Sequence, residues 1–191
     1  MPFNVDMIVE IPLNSNVKYE YDKKNKCMRC DRIMTTSMLY PGNYGYIKHT
    51  LSGDMDPIDV LLVCDYTIYP GTVINVKIIG VLITEDEHGA DEKLIAVPSS
   101  DVDRSYDDVN NCTDLGHKTK MIQHFFEHYK DNEPSKWVKV VGFDNANKAY
   151  ELLELSIYRY ITHIYQNKII PTSKIVKLHE YKHLLNLTNN V

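Results

Sequence analysis

Cysteine is scarce in this chain. Cys27, Cys30, Cys64 and Cys112 make one CxxC pair and two isolated thiols, too few for a four-thiolate zinc centre and badly spaced for a disulfide framework. A protein that works reduced, in the cytoplasm, is expected. Positive charge is also short: 21 Lys and Arg against 26 Asp and Glu leave a formal charge of -5. General nucleic-acid binding is excluded on that ground, because affinity for a phosphate backbone rests on clustered cations. No stretch approaches the roughly 18 apolar residues of a membrane span, and the opening residues Met1 to Asp6 carry neither the basic region nor the apolar core of a secretory leader. Neither nucleic acid nor membrane is expected as a partner, and the reading is of a soluble intracellular protein. Internal repeats and low-complexity segments are lacking too.

What remains is ordinary globular composition, 43% hydrophobic and 25% charged, in a length that fits one domain with a sizeable core. Up to Pro98 the chain alternates short apolar segments with turn residues, which predicts strands over 7–12, 17–22, 27–34, 44–49, 59–63, 73–83 and 93–97. So many strands without intervening helices point to a small closed or partly open barrel. The period then changes. Ile122, Phe125, Phe126 and Tyr129 fall at i, i+3, i+4 and i+7, the stripe of a helix for which Asp114 is a candidate cap. A second helix follows, with Ala149, Leu152, Leu153, Ile157, Tyr160, Ile161 and Ile164 on one face and Asp144 or Asn145 at its start. Between them 137–143 reads as one more strand, and residues 166–191 form a tail of unassigned role.

Chemistry concentrates in Ser52 to Val63, where Asp54, Asp56 and Asp59 lie within six residues before an apolar run. In an extended segment Asp54 and Asp56 would sit about 7 Å apart on one side, stiffened by Pro57. Three such charges repel unless a cation neutralises them. Two readings fit: a solvated acidic turn, or a divalent metal site whose hard oxygens suit Mg²⁺ or Mn²⁺. An EF-hand calcium loop does not fit, since Ile58 and Asp59 stand where that loop needs an oxygen ligand and then Gly. A second acidic run, Glu85 to Glu92, follows the long strand predicted to end near Thr84; it reads as a solvated hairpin loop or as the other half of a metal cage. Single charges interrupt the strands at Glu10, Lys18, Glu20, Arg32 and Lys93, either as solvent-facing positions or as the lining of one barrel mouth. His124-Phe125-Phe126-Glu127-His128 matches the H-x-x-E-H pattern of inverted zinc peptidases, but no third ligand is marked downstream. The tyrosine-rich segment Met38 to Tyr46 reads as a packed loop whose phenols are also able to bond phosphates.

DMDPIDV resembles the signature of the soluble family I inorganic pyrophosphatases. IVEIP, KYEYD, DRIMTTSMLYPGNYGYI, GVL, KLIAVP, HFFEHYKD and KWVKVVGF follow in the family's order, so the resemblance spans about residues 5–160. It implies a mainly β fold with flanking helices, a five-stranded OB-like closed barrel over residues 1–165, and Mg²⁺-dependent hydrolysis of pyrophosphate, with Mn²⁺ or other divalent metals also suited. Asp54, Asp59, Asp86, Asp91 and Glu10 match metal ligands, and Asp56 matches the general base. Lys18, Arg32, Tyr44, Lys93, Tyr129 and Lys130 match substrate-binding positions, with Glu20 supporting them. A bacterial-type homohexamer is implied as well, with His124 and His128 at an interface that protonation would weaken. One departure stands out: Met55 replaces a small or polar residue, usually Gly, and would be strained if that position needs a positive φ.

Overall fold

The computed structural model describes residues 4–167. Nine strands precede or flank two helices: β1 (Asn4–Ile11), β2 (Val17–Asp22), β3 (Cys27–Ile33), β4 (Asn43–Ile47), β5 (Asp59–Leu62), β6 (Val73–Asp86), β7 (Gly89–Ala90), β8 (Lys93–Pro98), α1 (His117–His128), β9 (Val138–Asn145) and α2 (Ala146–Asn167). Five of the strands close on themselves. β1 pairs antiparallel with β4, β4 with β5, β5 parallel with β8, and β8 antiparallel with β6, which returns to β1. The result is the expected closed, five-stranded barrel, mainly β with two helices in its C-terminal half.

β6 makes closure possible because its 14 residues serve β1, β8 and β9 along its length, with β7 paired at its end. Residues 73–77 pair with β1, 76–82 with β8, and 80–86 with β9. β4 and β1 come unusually close where Gly45 opposes Val9: a Cβ on Gly45 would lie 1.8 Å from the Ile8 carbonyl oxygen. The interior is continuous apolar packing of Met7, Val9, Ile11, Val60, Leu62, Val76, Ile78, Val81, Leu94 and Ile95. α1 covers one side with Ile122, Phe125 and Phe126, and α2 covers another with Ala149, Leu153 and Ile157. β2 and β3 form a separate hairpin.

Three local expectations are corrected. Asp114 does not cap α1: it accepts from the backbone of Asn110 and Asn111 in the capping box of a preceding 3-10 turn (Cys112–Leu115), and α1 starts after Gly116, at φ 58. The long strand does not stop near Thr84 but runs to Asp86, held there by β7 and β9. Residues 52–56 are not extended; Ser52 N–H donates to the Asp56 carbonyl and Met55 N–H to that of Ser52, which folds the segment into a tight turn. At the start of α2, Asn145 is the cap, its Oδ1 accepting from Asn147 and Lys148 N–H. α2 itself reaches two residues past the expected domain boundary at 165, and the tail from 168 to 191 lies outside the described residues.

Candidate active site

Strand register delivers the charged side chains to one end of the barrel. The parallel pairing of β5 with β8 sets Asp59 opposite Lys93. Lys93 is 2% exposed, and its Nζ lies 3.2 Å from Asp59 Oδ2 and 2.6 Å from Asp91 Oδ1. Asp91 and Lys93 do point the same way, as their spacing predicts. Tyr44, on β4, donates its hydroxyl to Asp59 Oδ2. Burial and the neighbouring Asp91 hold the Asp59 carboxyl above its ordinary range, against the pull of Lys93. Burial also acts against the charge on Lys93, but two carboxylates outweigh it and keep the ammonium protonated.

Bulges aim two more groups. Val9 and Ile11 pair with consecutive residues Gly45 and Tyr44, so Glu10 is the extra residue of a β-bulge, which re-aims a side chain and bends the strand. Its Oε1 accepts from Tyr21 N–H at 2.7 Å. Burial, with Asp59 and Glu20 nearby, pushes the Glu10 carboxyl up to about 7 even though that hydrogen bond and Lys18 oppose the rise. On the hairpin, a second irregularity leaves Asp31 unpaired and sets Lys18 directly opposite Arg32. Lys18 is paired with Glu20 and lies 3.5 Å from Asp31; Arg32 bridges Asp31 at 2.9 Å and Glu133 at 2.8 Å.

The acidic run after β6 is no freely solvated loop. Asp86 is 9% exposed and meets Lys130 Nζ at 2.9 Å, with Glu87 at 3.6 Å from the same nitrogen. Burial alone would raise Asp86; the bonds from Lys130 and His88 N–H turn the balance and hold it low. Lys130 and Tyr129 are brought in by α1, whose buried stripe packs Phe125 on Tyr40 (ring centroids 4.8 Å apart) and on Tyr129 (5.2 Å). Burial first, then the nearby Asp91 and Asp59 carboxylates, raises the Tyr129 phenol well above 10, so it stays a donor. In the 52–56 turn Asp54 Oδ1 accepts from Asp56 N–H at 3.0 Å, and the exposed Asp56 carboxylate meets Lys23 Nζ at 3.2 Å. Met55 sits between them at φ 72.

These side chains surround one cleft of about 500 Å³. Glu10, Asp54, Asp56, Asp59, Asp86 and Asp91 line it together with Lys18, Glu20, Arg32, Tyr44, Lys93, Tyr129 and Lys130. Every residue that the resemblance matched to a metal, base or substrate position is therefore at the same place. Others were passed over there: Lys23, Glu87 and Lys136 also line the cleft, and Tyr40 forms part of its floor. Glu87 had a visible signal, since it lies in the second acidic run; Lys23 and Lys136 had none, because a surface lysine near a turn is the commonest of residues. The six carboxylates suit a hard divalent cation, and no thiolate is among the lining residues. A carboxyl held near 7 by burial and two like charges marks a place short of positive charge, which is the deficit such a cation fills. Of the H-x-x-E-H segment only Phe126 lines the cleft; its two imidazoles are exposed and outside the lining.

The chain is similar in sequence and in fold to proteins of one known family. The sequence model of the family described as inorganic pyrophosphatase matches residues 7–161. The inorganic pyrophosphatase of Rickettsia conorii is 50% identical over 159 residues, covering 82% of this chain and 92% of the relative. That of Campylobacter jejuni is 47% identical over 161 residues, 84% of this chain and 94% of the relative. Among solved structures, the inorganic pyrophosphatase of Helicobacter pylori superposes with a TM-score of 0.81 at 43% identity, covering 83% of this chain and 94% of the other. The Thermus thermophilus enzyme gives 0.80 at 39% identity, with coverages of 83% and 91%.

Proposed function

This chain belongs to the inorganic pyrophosphatase family, and from that premise we propose that it hydrolyses inorganic pyrophosphate to two orthophosphates, by direct in-line attack of water, with Mg²⁺ as its metal. The observation that carries the reading is the arrangement of a single cleft, in which carboxylates from β1, β5, the 52–56 turn and the end of β6 face cations from the hairpin, β8 and the segment after α1. An acidic cleft alone would repel pyrophosphate, whose charge near neutral pH is about -3 to -4. Asp54, Asp59, Asp86, Asp91 and Glu10 are the residues to hold divalent ions, Mg²⁺ by preference and Mn²⁺ by the same oxygen chemistry. Bound there, such ions supply neutralisation of phosphate oxygens and a water acidic enough to lose its proton near pH 7.

The chain's own groups do the rest. Arg32 and Lys18, paired across the hairpin, offer a forked donor and a point charge to one phosphoryl group. Lys130, Tyr129 and Lys93 present donors to the other, and Tyr44 fixes Asp59 from behind. Glu20 holds Lys18 in place. Asp56, exposed on the cleft side of its turn, is the base that takes the proton from the attacking water. Pre-positioned donors of this kind stabilise charge that grows on the leaving phosphate.

The activity is assigned to residues 1–165, with the tail 166–191 taking no part in this reading. Four free thiols, two of them exposed, support a reducing compartment such as the cytoplasm, and no helix among the described residues is long and apolar enough to cross a membrane. A homohexamer is the assembly we propose. Release of orthophosphate from pyrophosphate by the purified chain tests the function: turnover with Mg²⁺ and its loss on chelation are expected, and no release with either Mg²⁺ or Mn²⁺ refutes it.

A further inference from the structure

Two of the cations in the cleft, Lys18 and Arg32, stand on the least supported part of the fold. β2 and β3 form a two-stranded sheet of their own, outside the barrel, and a lone hairpin is too marginal a structure to hold a side chain still. Arg32, near the end of β3, is steadied from outside it by the turn that follows α1. Asn132 Nδ2 donates to the Thr35 carbonyl at 2.9 Å, just beyond β3. One residue on, Glu133 Oε1 lies 2.8 Å from Arg32 Nε. That Nε is buried and has no aligned hydrogen bond among the described residues, so what Glu133 gives it is an ion pair, a charge at a fixed place. The second Glu133 oxygen, Oε2, meets Lys136 Nζ at 2.9 Å, and Lys136 lines the cleft. The Glu133 side chain is 10% exposed and takes no part in the lining, so it works from behind the two cations.

From this arrangement we infer that Glu133 is a positioning residue, one that aims Arg32 at the phosphoryl group; the inference rests on the pyrophosphate reading of the cleft given above. Glu133 N–H donates to the Lys130 carbonyl at 2.8 Å, so the carboxylate that grips Arg32 is built on the turn that also carries Tyr129 and Lys130. One turn thereby fixes the hairpin's donors relative to those brought by α1, and the two ends of a pyrophosphate meet donors at a set separation. Nε against Glu133 and Nη1 bonded to Asp31 at 2.9 Å hold the plane of the guanidinium, which leaves the Nη2 end of the fork for a phosphoryl oxygen. Aim of this kind matters most in the chemical step, where a misplacement of about 1 Å costs on the order of 10²-fold. Burial alone would raise the Glu133 carboxyl; the bond from Lys136 and the charge on Arg32 turn the balance and keep it a carboxylate. A purely structural ion pair would use the same contacts, but it would act on the fold whether or not substrate is bound, and it would not depend on Arg32 to affect turnover.

Steady-state hydrolysis of pyrophosphate with Mg²⁺ by the full chain tests the role, alongside calorimetric binding of methylenediphosphonate, which carries two phosphoryl groups but no bridging oxygen to cleave. Glu133→Gln keeps the shape and removes the charge. It should lower kcat by about 10–100-fold. KM and the affinity for methylenediphosphonate should change by less than about threefold, because Arg32 keeps its charge and loses only its aim. In a double-mutant cycle the same substitution in an Arg32→Ala background should cost less than about a further twofold, since the group it positions is gone. Glu133→Asp keeps the charge but falls one methylene short of Arg32, and it serves where the glutamine variant does not fold; its kcat should fall in the same sense. Unchanged kcat in the folded variant, a loss confined to KM or to melting temperature, or an equal loss with and without Arg32 overturns the inference while leaving the hydrolysis intact. A wild-type chain that releases no phosphate refutes the hydrolysis, and this role with it.

Discussion

Met55 puts a long side chain where the backbone favours none. Its φ of 72 lies in the left-handed region, and with 51% of its surface exposed it has little packing to offset the cost. A non-glycine residue there loses about 1–2 kcal/mol, so the conditional strain inferred from the departure at this position is present. Met55→Gly should raise the melting temperature modestly, the relief of strain exceeding by a few tenths of a kcal/mol the extra freedom Gly adds to the unfolded chain. A clear fall in melting temperature, read by calorimetry, would show that Met55 is needed where it is. Asp56 is the opposite kind of residue, cheap for the fold and, as the proposed base, decisive for the reaction. It is exposed, and its main-chain bonds to Ser52 and Asp54 do not involve its own carboxylate. Asp56→Asn should keep the melting temperature and divalent-metal affinity near wild type while turnover falls by about 10²–10⁴, since the amide keeps the shape but accepts no proton. Near-normal turnover of the purified variant would remove Asp56 from the role of base.

Among the elements, the barrel was legible where pattern alone decides and opaque where pairing does. Period-2 segments and turn residues placed each barrel strand to within a few residues, because local chemistry sets strand existence. The parallel contact of β5 with β8 is a non-local event, so the meeting of Asp59 with Lys93 had to come from family resemblance rather than spacing. Bulges are hidden for the same reason: Glu10 looks like an ordinary polar residue of β1 until Val9 and Ile11 are seen paired to adjacent partners. Asp114 was misread because a 3-10 turn used its side chain three residues before α1 began. The closeness of β4 to β1 yields a sharp prediction. An alanine methyl at Gly45 would stand 1.8 Å from the Ile8 carbonyl oxygen, backbone that cannot yield without separating the strands. Gly45→Ala should therefore cost several kcal/mol and leave little soluble folded protein, against a few tenths for Gly53→Ala, where the same methyl meets nothing within 4 Å. Equal thermal stability of the two variants would mean the strands have room that this register denies.

For the whole molecule, assembly and the outer face of α1 are one problem. Met121, His124 and His128 are exposed there, beside Glu127 and Asp131, and a symmetric contact would bring the same patch of two subunits together. Read from the imidazoles alone, such an interface should weaken as they charge in acid. The facing groups cancel most of that effect. Glu127 and Asp131 give this patch two negative charges and Lys120, one turn before His124, one positive, so protonating two imidazoles takes it from -1 to +1 and leaves the repulsion across a symmetric contact about as large as before. Exposed pairs of this kind are each worth at most about 1 kcal/mol, too little for acid to drive a hexamer apart through them. The variant that should dissociate is His124→Ala plus His128→Ala, which removes both rings and leaves the carboxylates of neighbouring subunits unopposed. Light scattering at micromolar concentration decides between these. We expect a hexamer at pH 7.5 that persists at pH 5.5, and smaller species from the double variant. A monomer at pH 7.5 refutes the assembly, an intact hexamer of the double variant moves the interface elsewhere, and acid dissociation of the wild type would show that repulsion between imidazolium groups outweighs the carboxylates beside them.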